Sequence, residues 1–189
     1  VVYNIYGDTM KMPIVIDNFI TKEDAELIIN EIKNPSEINA YPQYYKKRFG
    51  GTALPYNKNI NVVLKKYALK SNSIHQKLNP SEKNNIKTFK SFASWWHPGS
   101  YGSLHIDDQN PEPFIEYSTV IYLNDDFEGG KIFFPKKMFD YQPKKYSAVF
   151  FKSEGAEWIH GISPVESGER FVLLYMHTTN LDEIDPDLD

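Results

Sequence analysis

Cysteine is absent from all 189 residues. That excludes a disulfide scaffold, Cys-ligated zinc, an iron–sulfur cluster and a cysteine nucleophile together. It also fits a reducing compartment, so a cytoplasmic location is the expectation. No apolar run approaches the roughly 20 residues that a membrane helix needs, and no membrane partner is expected. No charged-then-apolar leader reads as a signal peptide. Positive charge is not in excess either: 21 Lys and Arg stand against 25 Asp and Glu, a formal net charge of −4. Such a balance argues against a dedicated nucleic-acid binder. Repeats of solenoid or propeller period are missing. What the chain does have is aromatic mass, with 12 Phe, 13 Tyr and 3 Trp in a composition that is 41% hydrophobic. That is enough to bury a core and excludes wholesale disorder. The length sets a prior of one domain over 1–189.

The first third reads as helices and loops, a support of about 1–85. Pro13–Asp17 is a short strand. Thr21 caps a helix over Thr21–Ile32, with Asp24 completing a capping box, Ala25, Ile28, Ile29 and Ile32 on its apolar face, and Asn34-Pro35 ending it. A second helix is expected over Asn57–Leu78, burying Ile60, Val63, Leu64, Tyr67, Ala68, Ile74 and Leu78, with a break at Ser71-Asn72-Ser73. The intervening Ala40–Pro55 segment holds Tyr41, Tyr44, Tyr45, Phe49 and Gly50-Gly51. It reads equally as a lid over a substrate and as a pinned surface loop. From Ile86 the pattern turns to β, with strands at Ile86–Trp96, Glu116–Leu123, Lys131–Phe134, Ser147–Phe151, Trp158–Ile162 and Phe171–His177. Gly and Pro turns separate them. The expectation is a mainly β fold, a jelly-roll core over about 86–178 supported by outer helices. The acidic tail 179–189 is expected to fray.

Two histidine contexts carry chemistry. In His105-Ile106-Asp107 the outer two side chains point the same way along an extended segment. His160 lies 55 residues later, before another strand. Two imidazoles and one carboxylate occupy one face of a metal and leave other positions open, as non-haem Fe(II) oxygenases require. Surface residues in turns are the bland alternative. Arg170 then opens the apolar strand that follows. A buried guanidinium needs an anion, and its planar fork suits a carboxylate. Glu166 and Glu169 are possible partners within the chain. A bound dicarboxylic cosubstrate is another, with one end on the metal and the other on Arg170.

The ordered blocks then become specific: Pro98-Gly99, His105-x-Asp107, Ser118–Asn124, Glu128–Pro135, Pro143-Lys144-Lys145, Ser147–Phe151, His160–Val165 and Gly168–Phe171. Over roughly Phe89 to His177 the chain resembles the prolyl 4-hydroxylase branch of the Fe(II)/2-oxoglutarate-dependent dioxygenases. The resemblance implies His105, Asp107 and His160 as catalytic iron ligands. It implies Arg170 on the distal carboxylate of 2-oxoglutarate, assisted by Tyr122, with Ser118 and Val120 on the same strand face lining the pocket. The family often has Tyr where Trp96 stands here, so Trp96 marks a local difference in the cosubstrate pocket or substrate entrance. The implied double-stranded β-helix would use Fe(II), 2-oxoglutarate and dioxygen, with ascorbate as a possible aid. The substrate would be a prolyl residue of a peptide or protein, the reaction giving succinate, carbon dioxide and a hydroxylated C–H bond.

Three other readings stay open: a hydroxylase of a free amino acid or other small molecule, a metal-dependent hydrolase, and a non-catalytic jelly-roll binding module. Among the remaining candidates, Asp108 is expected to face away from the metal. His75 reads as surface, His97 as structural and His177 as a cap or packing contact. Trp158 shares strand parity with His160 and reads equally as a wall over iron and as core.

Overall fold

The Thr21 hydroxyl accepts the backbone N–H of Asp24 at 3.2 Å, and helix α1 runs Lys22–Lys33. Asp24 does not reach back to the Thr21 N–H as a simple capping box would. The Tyr67 hydroxyl stands between them, accepting from Thr21 N at 3.0 Å and donating to Asp24 Oδ2 at 2.7 Å. The cap therefore also fastens α1 to helix α2, Lys58–Leu78. This computed structural model describes residues 10–34, 58–82, 86–108 and 114–188. The aromatic segment 40–55, with the lid reading placed on it, lies outside the described residues.

Helix α2 does not break at Ser71-Asn72-Ser73. Ser71 and Asn72 are buried, and Asn72 Oδ1 accepts from Thr88 Oγ1 at 2.9 Å and from His177 Nδ1 at 2.8 Å. A residue that competes with helix when exposed is here committed to tertiary partners instead. His75, one turn on, is buried rather than on the surface.

The strands are β1 (Ile14–Ile16), β2 (Lys87–Trp96), β3 (Gly102–His105), β4 (Tyr117–Tyr122), β5 (Phe127–Gly129), β6 (Ile132–Phe134), β7 (Phe139–Tyr141), β8 (Ala148–Lys152), β9 (His160–Ile162), β10 (Val165–Gly168) and β11 (Arg170–Thr178). They form a five-stranded sheet in the order β1-β8-β4-β11-β2, a four-stranded sheet β3-β9-β6-β7 and the pair β10-β5. Neighbouring strands pair antiparallel throughout, so side chains alternate between two faces. One face of the larger sheet meets the helices: the His75 and Phe150 rings lie 5.2 Å apart, and the Tyr175 hydroxyl donates to Leu64 O at 2.7 Å. Its other face meets the smaller sheet through Phe134 and Phe151, 5.0 Å apart, and through Tyr122 and Tyr141, 5.9 Å apart. This is the expected jelly-roll core with outer helices.

Two boundaries differ from expectation. Trp158 lies in a single 3-10 turn, Ala156–Trp158, and β9 starts at His160, so the two do not share strand parity. The acidic tail does not fray over its described residues. Asp185 N donates to Thr88 O at 3.0 Å, and Leu188 is buried in the core cluster. Among the described residues no helix is long and apolar enough to cross a membrane.

Candidate active site

Strands β3 and β9 pair with His105 opposite His160. Two glycines permit that closeness. A Cβ on Gly161 would lie 2.8 Å from the Phe133 ring and 3.0 Å from Gly102 O, and one on Gly102 would lie 3.1 Å from Ile162. Asp107 follows β3 by two residues and turns back to the same point. One ligand atom from each of His105, Asp107 and His160 falls within 4.8 Å of the others. Asp107 Oδ1 is 3.3 Å from His105 Nε2 and 3.7 Å from His160 Nε2.

Both imidazoles are held in one tautomer. His105 Nδ1 donates to Ser103 O at 2.7 Å, and His160 Nδ1 donates to Trp158 O at 3.1 Å. A carbonyl can only accept, so Nδ1 carries a hydrogen and Nε2 is the ring atom turned toward the cluster, where it can offer a lone pair to a metal. The His160 ring is wedged between Phe134, stacked at 5.1 Å, and Phe151, edge-on at 4.8 Å. Trp158 is thus core, and its carbonyl orients His160. Burial alone would raise the Asp107 carboxyl. The adjacent His160 and His105, helped by the Ser118 hydroxyl, outweigh burial and hold it well below the usual carboxylate range. Burial lowers His160. His105 is also pushed down by burial, but Asp107 and the Ser103 carbonyl raise it on balance. A fixed anion beside two oriented lone pairs suits a divalent transition metal.

The second group lies on the larger sheet, on the face that meets the smaller one. Arg170 pairs in register with Trp96, and Val172 with Tyr122, which gathers Arg170, Trp96 and Tyr122. The guanidinium carbon sits 5.1 Å from the Trp96 ring centre and 5.3 Å from that of Tyr122. Arg170 is 1% exposed, yet its Nε and Nη1, the Tyr122 hydroxyl and the Trp96 Nε1 have no hydrogen-bond partner among the described residues. The guanidinium and the phenol are close enough to bias each other's titration, but burial dominates both, lowering Arg170 and pushing Tyr122 up to about 12. Neither suggested acid serves Arg170. Glu169 takes Trp95 Nε1 at 3.1 Å and Lys33 Nζ at 3.1 Å, and Glu166 is exposed. A Cβ on Gly130 would meet Arg170 Cδ at 2.9 Å, so a glycine there makes room for the side chain. Asn124 holds the neighbouring backbone, donating to Glu169 O at 2.6 Å and accepting from Phe171 N at 2.8 Å.

The other residues singled out in the sequence fall outside. Asp108 is half-buried beside the cluster without joining it. His97 is half-exposed, 3.7 Å from Glu169. His75 and His177 lie on the helix side of the larger sheet, each bonded to Thr119 Oγ1 at 3.0 Å. Sequence reasoning missed Ser153, which lies with Ser118 against Asp107. Its only signal was a polar residue closing an apolar strand.

Residues 91–176 match the family model described as the 2OG-Fe(II) oxygenase superfamily. A 70-residue stretch is 37% identical to prolyl 3-hydroxylase 1 of Gallus gallus, covering 34% of this chain and only 10% of that protein. The viral collagen prolyl hydroxylase of Paramecium bursaria Chlorella virus-1, in its 2OG complex, superposes with a TM-score of 0.72 at 20% identity, covering 89% of this chain and 96% of that one. A Pseudomonas putida prolyl-4-hydroxylase gives 0.68 at 17% identity, covering 88% and 91%. At these identities the two structures show a shared fold.

Proposed function

We propose that this chain, whose residues 91–176 match the model of the 2OG-Fe(II) oxygenase superfamily, is an Fe(II)- and 2-oxoglutarate-dependent dioxygenase that hydroxylates a prolyl residue in a peptide or protein. The observation that carries the cosubstrate is the cradle of buried donors at Arg170, Tyr122 and Trp96 without a partner among the described residues. An isolated buried cation is strongly disfavoured, and Arg stays protonated. An anion from outside the chain resolves this. Ser118, which touches Asp107, and Tyr122 lie four residues apart on one face of β4, roughly 13 Å along the strand. A metal ion and a five-carbon dicarboxylate bridge that scale.

In this reading His105 and His160 offer Nε2 and Asp107 offers Oδ1 to the metal. Arg170 grips the distal carboxylate of 2-oxoglutarate, and the Tyr122 hydroxyl and Trp96 N–H donate to the same group. Bound Fe(II) supplies the oxidation: dioxygen and 2-oxoglutarate are consumed, succinate and carbon dioxide form, and one oxygen atom enters the substrate. The chain orients the partners and excludes water with its aromatic walls. A hydrolase would use the three metal-facing residues but leave the Arg170 cradle without purpose. The prolyl substrate rests on the named activities of the similar proteins.

Incubation of Pro-containing peptides with the chain, Fe(II), 2-oxoglutarate and ascorbate, followed by mass spectrometry, tests the substrate. The expected product carries one added oxygen on proline. Hydroxylation of free amino acids with every peptide left untouched would overturn the peptide assignment.

A further inference from the structure

The two oxygens of Asp107 live in different surroundings. Oδ1 faces the imidazoles of His105 and His160. Oδ2 is turned to the protein, where it accepts from Ser118 Oγ at 2.6 Å and from Ser153 Oγ at 3.3 Å. The serine oxygens are themselves 2.6 Å apart. Ser118 is 2% exposed and Ser153 is fully buried. They come from neighbouring strands: Ser118 pairs with Phe151 in the β4–β8 register, and Ser153 follows β8. The backbone pins Ser153, whose N–H donates to Glu116 O at 2.8 Å and whose carbonyl accepts from Asp108 N at 3.4 Å.

We propose that Ser118 and Ser153 are positioning residues that commit Asp107 to bind the metal through Oδ1 alone. The inference rests on the metal reading above. A carboxylate oxygen accepts in two lone-pair directions, and two hydroxyls on Oδ2 fill both. If Ser153 donates to Ser118 instead, it strengthens the bond that Ser118 makes to Oδ2. Either way Oδ2 is withdrawn from the cluster. The consequence is chemical. A carboxylate held through both oxygens would take one of the metal positions left open, and a chelating 2-oxo acid together with dioxygen needs all of them. Outer partners of this kind typically change metal affinity by roughly 10–100-fold when removed.

The test uses Co(II) as a redox-stable probe, with affinity read by titration and coordination by the visible absorption of the bound ion. Ser118→Thr and Ser118→Val have nearly the same shape and differ by the hydroxyl, so comparing them cancels any packing effect of the added methyl. Circular dichroism checks that both fold. The expected result is that Ser118→Thr binds Co(II) nearly as wild type does. Ser118→Val, and more so Ser118→Val/Ser153→Ala, bind roughly tenfold or more weakly with an altered absorption band. Equal affinity and identical bands for the Thr and Val variants, with Co(II) binding still abolished by His160→Ala, would overturn the role of the serines and leave the metal site standing. Failure of wild type to bind Co(II) would overturn both.

Discussion

In the proposed function Arg170 trades stability for binding. The residue is 1% exposed, and its Nε and Nη1 have no hydrogen-bond partner among the described residues. A hydrogen bond to a charged group contributes roughly 1.5–3 kcal/mol, so Arg170→Ala is expected to weaken 2-oxoglutarate binding about ten- to 150-fold in calorimetry, with metal affinity nearly unchanged. Arg170→Lys recovers part of the loss, because Lys supplies the charge without the fork. Arg170→Met fills similar space without a buried cation. Without cosubstrate it should therefore unfold at a higher temperature than wild type, by an equivalent of about 1–4 kcal/mol. Saturating 2-oxoglutarate should stabilise wild type alone. A lower melting temperature for Arg170→Met would mean that the guanidinium is already satisfied. At the neighbouring site, Asp107→Ala should abolish turnover while Asp108→Ala loses much less, since only Asp107 enters the cluster. Equal losses would assign the wrong carboxylate.

Strand pairing turns these residues into a site, and glycine sets the pairing distance. At Gly161 the nearest obstacles to a Cβ include the Gly102 carbonyl at 3.0 Å, which is backbone and cannot swing aside, besides the Phe133 ring. Gly161→Ala should push β9 from β3 and separate His160 from His105. Overpacking of this kind costs roughly 1–3 kcal/mol, and metal affinity should fall more than stability does. A variant that melts early yet binds metal normally would show that the imidazoles do not depend on this approach. The period-two alternation of β4 was legible in the sequence: Ser118, Val120 and Tyr122 do share the inner face. The continuity of α2 was not, because Asn72 finds its partners 16 and 105 residues away in Thr88 and His177. Local propensity weighs only the competing turn. The same blindness hid Ser153, whose partner Asp107 is 46 residues away.

At the scale of the molecule, the order of motifs along the chain made the β core readable, and the structure brings His105, Asp107 and His160 to one point. In the helical support the apolar stripe of Ala25, Ile28 and Ile32 on α1 and of Ile60, Leu64, Tyr67 and Ala68 on α2 is buried as expected, whereas the later part of α2 buries a polar network at Ser71, Asn72 and His75 that its sequence did not announce. Asn72 Oδ1 accepts from His177 Nδ1, so His177 Nε2 accepts from Thr119, which in turn accepts from His75 Nε2. This pattern needs both imidazoles neutral, the form that burial favours. Burial takes His75 from 6.5 down to about 3 and holds His177 well below 6.5. The unfolded chain gains these protons as pH falls below about 6.5 and the folded chain does not. Stability is thus complete above that pH and declines as pH falls below it, a window that reaches down to about 3 for His75, by up to roughly 1.4 kcal/mol per pH unit for each histidine. Denaturant unfolding at stepped pH should show this slope, reduced by one histidine's share in His75→Gln, whose amide donates to Thr119 without titrating. An unchanged slope would place the acid sensitivity elsewhere. Succinate release from 2-oxoglutarate under air tests the oxygenase reading most directly. The prediction is release that requires added Fe(II) and disappears in both Asp107→Ala and His160→Ala. Succinate formed at equal rates without iron, or by those variants, would contradict it.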